Sequence, residues 1–590
     1  MASHPEKLAG RLDAVQQASS SSSETQQEGI INLPISEKGS DKDDQLENAG
    51  PDGRIILTED MCYDKLGYSY TETRKWLIIS VIFLVQVSMN FNTSLYSNGL
   101  AGISEEFGVS MQAARCGAMI FLVLYAFGCE LWAPWSEELG RKPILQASLF
   151  FVNVFQLPVA LAPNFASIMV GRALGGLSSA GGSVTLGMIA DLWEADTQQY
   201  AVAAVVFSSV GGSVLGPVIG GFVEAFLPWR WNIWIQLIFG GFVQIMHFLL
   251  VPETRTTVLM DRIAKKMRES GENPNIYGPT EGLSFRERFP PRELMMTWYR
   301  PFKMFLTEPI VLVLSLLSGF SDALIFMFIQ SLGLVYDQWN FNAWEKGLAF
   351  IPILIGYLIA WFSWFPIIRR NTKERRENPD SERAQYESRL WWLLYTVPCL
   401  PIGLIGFAWT ILPQCHWIGS MIFAAIIGIA NYAIYMATID YMICAYGPYS
   451  ASATGGNGWA RDFLAGVLTI PATPFFENIG GKYHLEYAST ILFCISLPLV
   501  IAVYIIYWKG PALRARSPFA QRLSEARHEI DVNIHSRRAS KVPAASRANS
   551  YARSQQDLRI RGSRPGSRVN SRANSRVNSR ANSRRNSLVT

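Results

Sequence analysis

Apolar residues fall along this chain in blocks of about twenty, separated by short polar clusters. The blocks begin near Trp76, Gln112, Ile144, Ser167, Gln199, Arg230, Glu308, Trp344, Leu390, His416, Ser450 and His484. A hydrocarbon core about 30 Å thick takes roughly 20 helical residues to cross. Backbone amides in lipid must bond within their own segment, so the pattern predicts twelve transmembrane helices despite their interior glycines and prolines. The fold class expected is an all-α membrane protein with two six-helix bundles, residues 76–252 and 308–508, joined by a polar connector, 253–307. Residues 1–75 and 509–590 are polar throughout and are expected to be disordered tails.

Composition and charge sharpen this picture. Of the 590 residues 49% are apolar, and they crowd into the middle, where a water-soluble protein has no means of covering them. A soluble enzyme is thereby excluded. Residues 1–75 carry 8 Lys/Arg against 14 Asp/Glu, and residues 511–590 carry 18 against 4, so the net +5 hides an acidic head and a basic tail. An even number of spans puts both termini on one side. Arg141, Lys142, ten cations from Arg255 to Lys303 and seven from Arg369 to Arg389 then share that side, which the positive-inside rule makes cytoplasmic. The first apolar stretch starts only near Trp76, so no cleavable signal peptide is expected. Seven cysteines at no C-x-x-C spacing suggest neither a metal site nor a disulfide framework, and no G-x-x-x-x-G-K loop suggests a nucleotide. Six spans, a polar middle and six more is the layout of transporters built from two related bundles around a midplane site, although receptors and channels also have many helices.

Three motifs carry chemistry. After the second predicted span comes Ala133-Pro134-Trp135-Ser136-Glu137-Glu138-Leu139-Gly140-Arg141-Lys142, a tight turn with carboxylates before it and cations after it. The fourth span carries Arg172-x-x-Gly175-Gly176, and an arginine at that depth must face protein or water. The fifth holds Gly212, Gly216-Pro217 and Gly220-Gly221. Glycines every four residues line one face for close helix approach, and Pro217 frees the carbonyl of Ser213. With Pro252-Glu253-Thr254-Arg255 at the end of the sixth span, this set resembles the major facilitator superfamily in the form of fungal drug:proton antiporters, Ala133 standing where the family has glycine. The resemblance implies a major facilitator fold. It also implies a conformational clasp of Glu137, Gly140, Arg141, Lys142 and Asp191, a buried-arginine motif at Arg172, and an antiporter hinge in the fifth span. Gly128 to Trp132, Ser318 to Leu324, Asn431 to Tyr435 and Ala451 to Asp462 resemble the fungal polyamine exporters more narrowly.

Few ionisable residues lie deep. Asp322 stands about 20 Å into the seventh span at 1.5 Å per residue, and Glu130 and Asp440 lie in the inner halves of the second and tenth. Deep carboxylates without a partner are what proton exchange needs, so Asp322, Glu130 and Asp440 are the coupling candidates. Arg461 and Asp462 are neighbours in sequence and should face different ways around their helix, which suggests a structural or gating role. Asn90, Tyr432, Tyr435 and Arg461 are candidates for the substrate cavity, the aromatic rings suiting a cation.

The expected function is a proton-coupled antiporter exporting polyamines or amphipathic drugs and toxicants by alternating access, as in multidrug resistance. Export of one secondary metabolite or organic acid is the alternative, and a membrane receptor or scaffold the reading from another class. The expected partners are a cationic or lipophilic small molecule, protons and membrane lipid, with no nucleic acid. No cofactor or metal is called for beyond the proton gradient, and the protein is expected to be a monomer of the plasma or vacuolar membrane. The Ser-Arg-x-Asn repeats of 567–587 suit an anionic leaflet, and Ser540 and Ser587 lie in patterns favoured by basophilic kinases, whose phosphates would cancel that attraction.

Overall fold

The computed structural model describes residues 55–193, 197–281, 285–378, 381–446 and 449–517, all within one compact unit, Met1–Gln521. Ser540, Ser587 and most of both predicted tails lie outside the described residues.

Among the described residues eleven helices are long and apolar enough to cross a membrane: span 1 (Glu72–Phe107), span 2 (Met111–Leu139), span 3 (Arg141–Ala160), span 4 (Phe165–Ala190), span 5 (Gln199–Phe226), span 6 (Arg230–Leu250), span 7 (Pro309–Asp337), span 8 (Ala343–Glu377), span 9 (Glu387–Thr410), span 10 (Trp417–Tyr446) and span 12 (Gly481–Arg514). The remaining one, span 11, is a continuous helix over Ser450–Asn478 that composition alone does not mark as membrane-crossing. Its polarity is covered by protein. A methyl group at Gly466 would lie 3.0 Å from Leu122 Cβ of span 2, and one at Gly319 of span 7 would lie 3.0 Å from the Ala460 carbonyl. With neighbours that close, Asn457, Arg461 and Asp462 are all buried. Lipid-facing positions are apolar instead, as with Phe242, Ile245 and Leu249 on span 6 and Ile359 and Phe362 on span 8.

Helix starts follow ordinary capping chemistry. Ser110 Oγ accepts from the Ala113 N–H at 3.1 Å before span 2, and Asn164 Oδ1 from the Ser167 N–H at 2.9 Å before span 4. Predicted and observed starts differ by four residues or fewer.

The N-terminal segment departs from expectation. Residues 55–70 are not a disordered tail but fold against the connector. Strand β1 (Ile55–Ile56) pairs in parallel with β2 (Ile276–Tyr277), and Leu57, Cys62 and Leu66 share a small core with Met260, Ala264 and Ile276. The polar average of residues 1–75 concealed this short apolar run. The resulting cap rests on the end of span 4, where the Tyr68 hydroxyl donates to the Ala190 carbonyl at 3.3 Å. The last connector helix, Pro291–Thr307, leads into span 7. The end of the molecule that carries cap and connector is called the connector end below.

Candidate functional site

The clasp is assembled at the connector end. Spans 2 and 3 meet at Gly140, whose φ of +106° favours glycine and whose missing side chain makes room for the Glu253 carboxylate. Glu253 Oε1 accepts the backbone N–H groups of Arg141, Thr254 and Arg255, each at 2.9 Å, and Oε2 that of Lys142 at 3.3 Å. An anion thus satisfies the open amides at the start of span 3. The buried Arg141 donates through Nε to Asp191 Oδ2 at 3.1 Å and through Nη1 to Ser136 Oγ at 2.7 Å. Arg255 approaches the other oxygen of Asp191 at 3.7 Å and donates from Nε to the Glu137 carbonyl at 3.0 Å. Lys142 Nζ donates to the Phe248 carbonyl of span 6 at 3.0 Å. The structure therefore brings Gly140, Arg141 and Asp191 together. Glu137 joins through its backbone, and the carboxylate that caps the turn is Glu253.

Arg172 is fully buried among spans 1, 2 and 4. Its Nε donates to the Gly117 carbonyl at 3.1 Å and its Nη1 to the backbone and side-chain oxygens of Asn92 at 3.2 and 3.1 Å. The guanidinium lies 4.5 Å from the ring centre of Tyr96 and 4.1 Å from that of Phe121, cation–π contacts standing where a carboxylate would otherwise be needed. Gly175 packs on the Phe121 ring and Gly176 on the Phe121 backbone.

The glycines of span 5 face two different partners. Gly212, Gly216 and Gly220 lie against Val87 and Asn90, Ser94, and Asn98 of span 1. Gly221 turns instead to span 8, where an added methyl would sit 2.8 Å from the Ala343 carbonyl and 2.9 Å from the Gly347 Cα. Pro217 shares this crossing, its carbonyl lying 2.8 Å from where a Gly347 methyl would be. The first and second halves of the chain thus touch backbone to backbone at the end opposite the connector.

The halves also meet at the connector end. Asp440 of span 10 pairs with Arg389 and accepts from Gln199 Nε2 of span 5 at 2.9 and 2.8 Å. That contact separates Asp440 from the other coupling candidates.

Those gather in the middle. Arg461 Nε and Nη2 reach Asp462 Oδ1 at 2.9 and 2.8 Å, while Asp322 Oδ2 stands 3.9 Å from Arg461 Nε. The Arg461 guanidinium also lies over the Tyr435 ring at 4.2 Å. Glu130 of span 2 presses on the backbone of Gly455, a methyl there falling 2.7 Å from both its oxygens, and lies within electrostatic reach of Asp462. Sequence spacing alone argued that Arg461 and Asp462 point apart. The long arginine side chain instead folds back onto its neighbour, so the central cation has two carboxylates. Asn431 donates to Ser321 Oγ at 3.1 Å, and Tyr432 to the Ala203 carbonyl of span 5 at 3.0 Å. Asn90 donates to the Gln86 carbonyl of its own helix at 3.0 Å and packs on Gly212, outside the central group. Asp462 and Glu253 were not among the sequence candidates for these roles. The Pro-Glu-Thr-Arg string marked Glu253, but nothing in it revealed four amides converging on one carboxylate.

Comparison with known proteins agrees with this architecture. The family description Major Facilitator Superfamily matches residues 82–470. The MFS-type transporter acdC of Aspergillus candidus is 32% identical over 459 residues, covering 76% of this chain and 87% of its own. The MFS-type transporter kojT of Aspergillus flavus is 30% identical over 451 residues, covering 75% and 78%. The efflux pump atB of Aspergillus terreus is 32% identical over 395 residues, covering 66% and 81%. A family match across most of the helical region, with relatives aligned along most of their own length, places this chain in the major facilitator superfamily of membrane transporters.

Proposed function

We propose that the protein is a proton-coupled antiporter that exports a cationic or lipophilic small molecule, a polyamine or an amphipathic toxicant, by alternating access. The observation that carries this reading is the uneven sharing of Arg461. Asp462 holds the guanidinium at 2.8–2.9 Å, whereas Asp322 stands off at 3.9 Å. Asp322 is thus the carboxylate that a proton or a bound cation can engage without first breaking the tight pair, and Glu130 is a second. Two acids on one arginine, with Tyr435 beside it and Glu130 within electrostatic reach of Asp462, favour a positively charged guest over an anion. The mechanism is rocking of the two halves about this cluster, with the Gly221–Gly347 crossing closing one end and the Gln199–Asp440 contact the other. Each elementary charge crossing the membrane field is worth ~2.3 kcal/mol per 100 mV, so the field drives export only when the entering protons carry more charge than the leaving substrate, and otherwise the pH gradient must supply the drive.

Termini on the cytoplasmic side, a plasma-membrane location and a monomeric state complete the proposal. A second reading, export of one secondary metabolite, is favoured by the relative of Didymella fabae named as an ascochitine biosynthesis cluster MFS transporter and fits the same scaffold. The test is an acid pulse applied to reconstituted vesicles preloaded with spermidine or with a lipophilic cation. Release that depends on the pulse and disappears in Asp322→Asn and Glu130→Gln is expected. Release that keeps its full proton dependence in both variants would refute the assignment, and pulse-independent retention of every cation would favour the second reading.

A further inference from the structure

The helix Pro291–Thr307 has two unlike faces. Its docked face reaches both halves of the protein. The Pro301 carbonyl lies 2.9 Å from a methyl built at Gly456 of span 11, and Phe302 and Phe305 pack on Trp459 of that span with ring centres 5.2 and 5.5 Å apart. Phe302 also stacks on Phe127 of span 2 at 6.1 Å. The opposite face is uncovered. Met295, Met296, Tyr299 and Leu306 are 61%, 54%, 63% and 72% exposed, while Pro301 and Met304 on the docked side are buried. Helical periodicity puts Arg292 and Lys303, both exposed, on the uncovered face among those apolar side chains. Arg300 stands at its edge, over the Tyr449 ring at 5.5 Å. A single residue, Glu308, separates the helix from the start of span 7, which holds it level with the feet of the membrane helices.

We propose that this helix lies in the plane of the membrane surface and that its uncovered face binds anionic phospholipid headgroups. The proposal rests on the membrane setting that the family establishes and not on the substrate reading. An apolar stripe interleaved with cations is the pattern of interfacial helices, whose apolar side chains enter the acyl boundary while lysine and arginine meet phosphates. Charge complementarity selects the lipid class, since Arg292, Arg300 and Lys303 face one exposed acid on this helix, Glu293. It also argues against the basic C-terminal tail as occupant, because like charges would be brought together. Through Phe127, Gly456 and Trp459 the seated helix ties the headgroup layer to a span from each half.

The test uses the full-length protein in lipid nanodiscs and follows methionine oxidation by peroxide with mass spectrometry. Met295 and Met296 report the uncovered face, and Met304, buried on the docked face of the same helix, reports whether the helix stays folded and in place. Each cation near an anionic surface contributes about five-fold in affinity, so Arg292 and Lys303 together contribute about 25-fold. Oxidation of Met295 and Met296 is expected to slow when phosphatidylserine is added to phosphatidylcholine discs. The double variant Arg292→Gln/Lys303→Gln should lose that slowing while Met304 remains protected. Equal oxidation in both lipids would overturn the proposal, as would protection that the double variant leaves intact. Protection lost only on deletion of residues 1–54 would also overturn it, assigning the face to the acidic N-terminal segment.

Discussion

Replacing Gly221 by alanine adds one methyl group at the point where spans 5 and 8 cross. That methyl would lie 2.8 Å from the Ala343 carbonyl oxygen, 2.9 Å from the Gly347 Cα and 3.2 Å from the Gly347 nitrogen. All three are backbone atoms, so relief requires the helices to separate rather than a side chain to swing away. Overpacking of this kind costs about 1–3 kcal/mol. The contact joins the two halves at the end opposite the connector, so the cost falls on the state closed at that end and spares the state open there. A bias of that size moves the balance about 5- to 150-fold toward opening. The assay is a distance distribution between spin labels at the exposed Phe226 and Asn340 in a cysteine-free background, read by pulsed electron resonance. Gly221→Ala should enrich the longer distances, and Gly347→Ala, whose methyl would lie 2.8 Å from the Pro217 carbonyl, should do the same. Gly211→Ala should not, because the nearest atoms to its methyl are at 3.8 and 3.9 Å. Unchanged distributions in both crossing variants, or an equal shift in Gly211→Ala, would show that this crossing is not the closing contact.

Three further outcomes are expected. Asp191→Asn removes the anion that Arg141 and Arg255 share, and breaking a buried pair from one side costs about 3–5 kcal/mol, so the thermal midpoint of the purified protein should fall; an unaltered midpoint would count against the clasp. Hydrogen bonds from Arg268 hold the Glu281 carboxyl below its usual 4.5, so its contribution to the cap is present above that pH and is lost as pH falls through the depressed value. The amide of Gly278, which donates to Glu281 Oε2 at 3.1 Å, should therefore lose its hydrogen-exchange protection factor on strong acidification, and constant protection would refute the linkage. Truncation after Phe519 should leave vesicle transport intact, since the clasp, glycine crossing and central acids all precede it, whereas phosphorylation at Ser540 and Ser587 in the full chain should weaken binding of the tail to anionic liposomes.

Helix number and position were legible because lipid imposes one rule on every span, about twenty apolar residues, and the chain obeys it almost everywhere. Span 11 shows where that rule weakens. Its polarity is paid for by neighbouring helices, so block-finding locates it by residual apolar content while composition alone misses it. The family resemblance implied that Gly140, Arg141 and Asp191 would meet, and each sits at the end of a predictable helix. It did not reveal the Glu253 cap or the Arg461–Asp462 pair, which depend on side-chain reach rather than on helix position. The fold of residues 55–70 was hidden for another reason. Its partner strand lies beyond six membrane spans, and local sequence contains no trace of so distant a contact.

That distance has a consequence for how the protein is made. Ile55 is synthesised about 220 residues before Ile276, its partner in the ladder, and at 5–20 residues per second the ribosome takes about 10–40 s to bridge them. For most of that interval Leu57 and Leu66 lack their core partners, because Met260, Ala264 and Ile276 do not yet exist. The cap closes only once six spans and nearly half of the connector have left the ribosome. A nascent chain stalled within its first half therefore displays an uncovered apolar segment near its N-terminus, and a chain that has passed this point has hidden it.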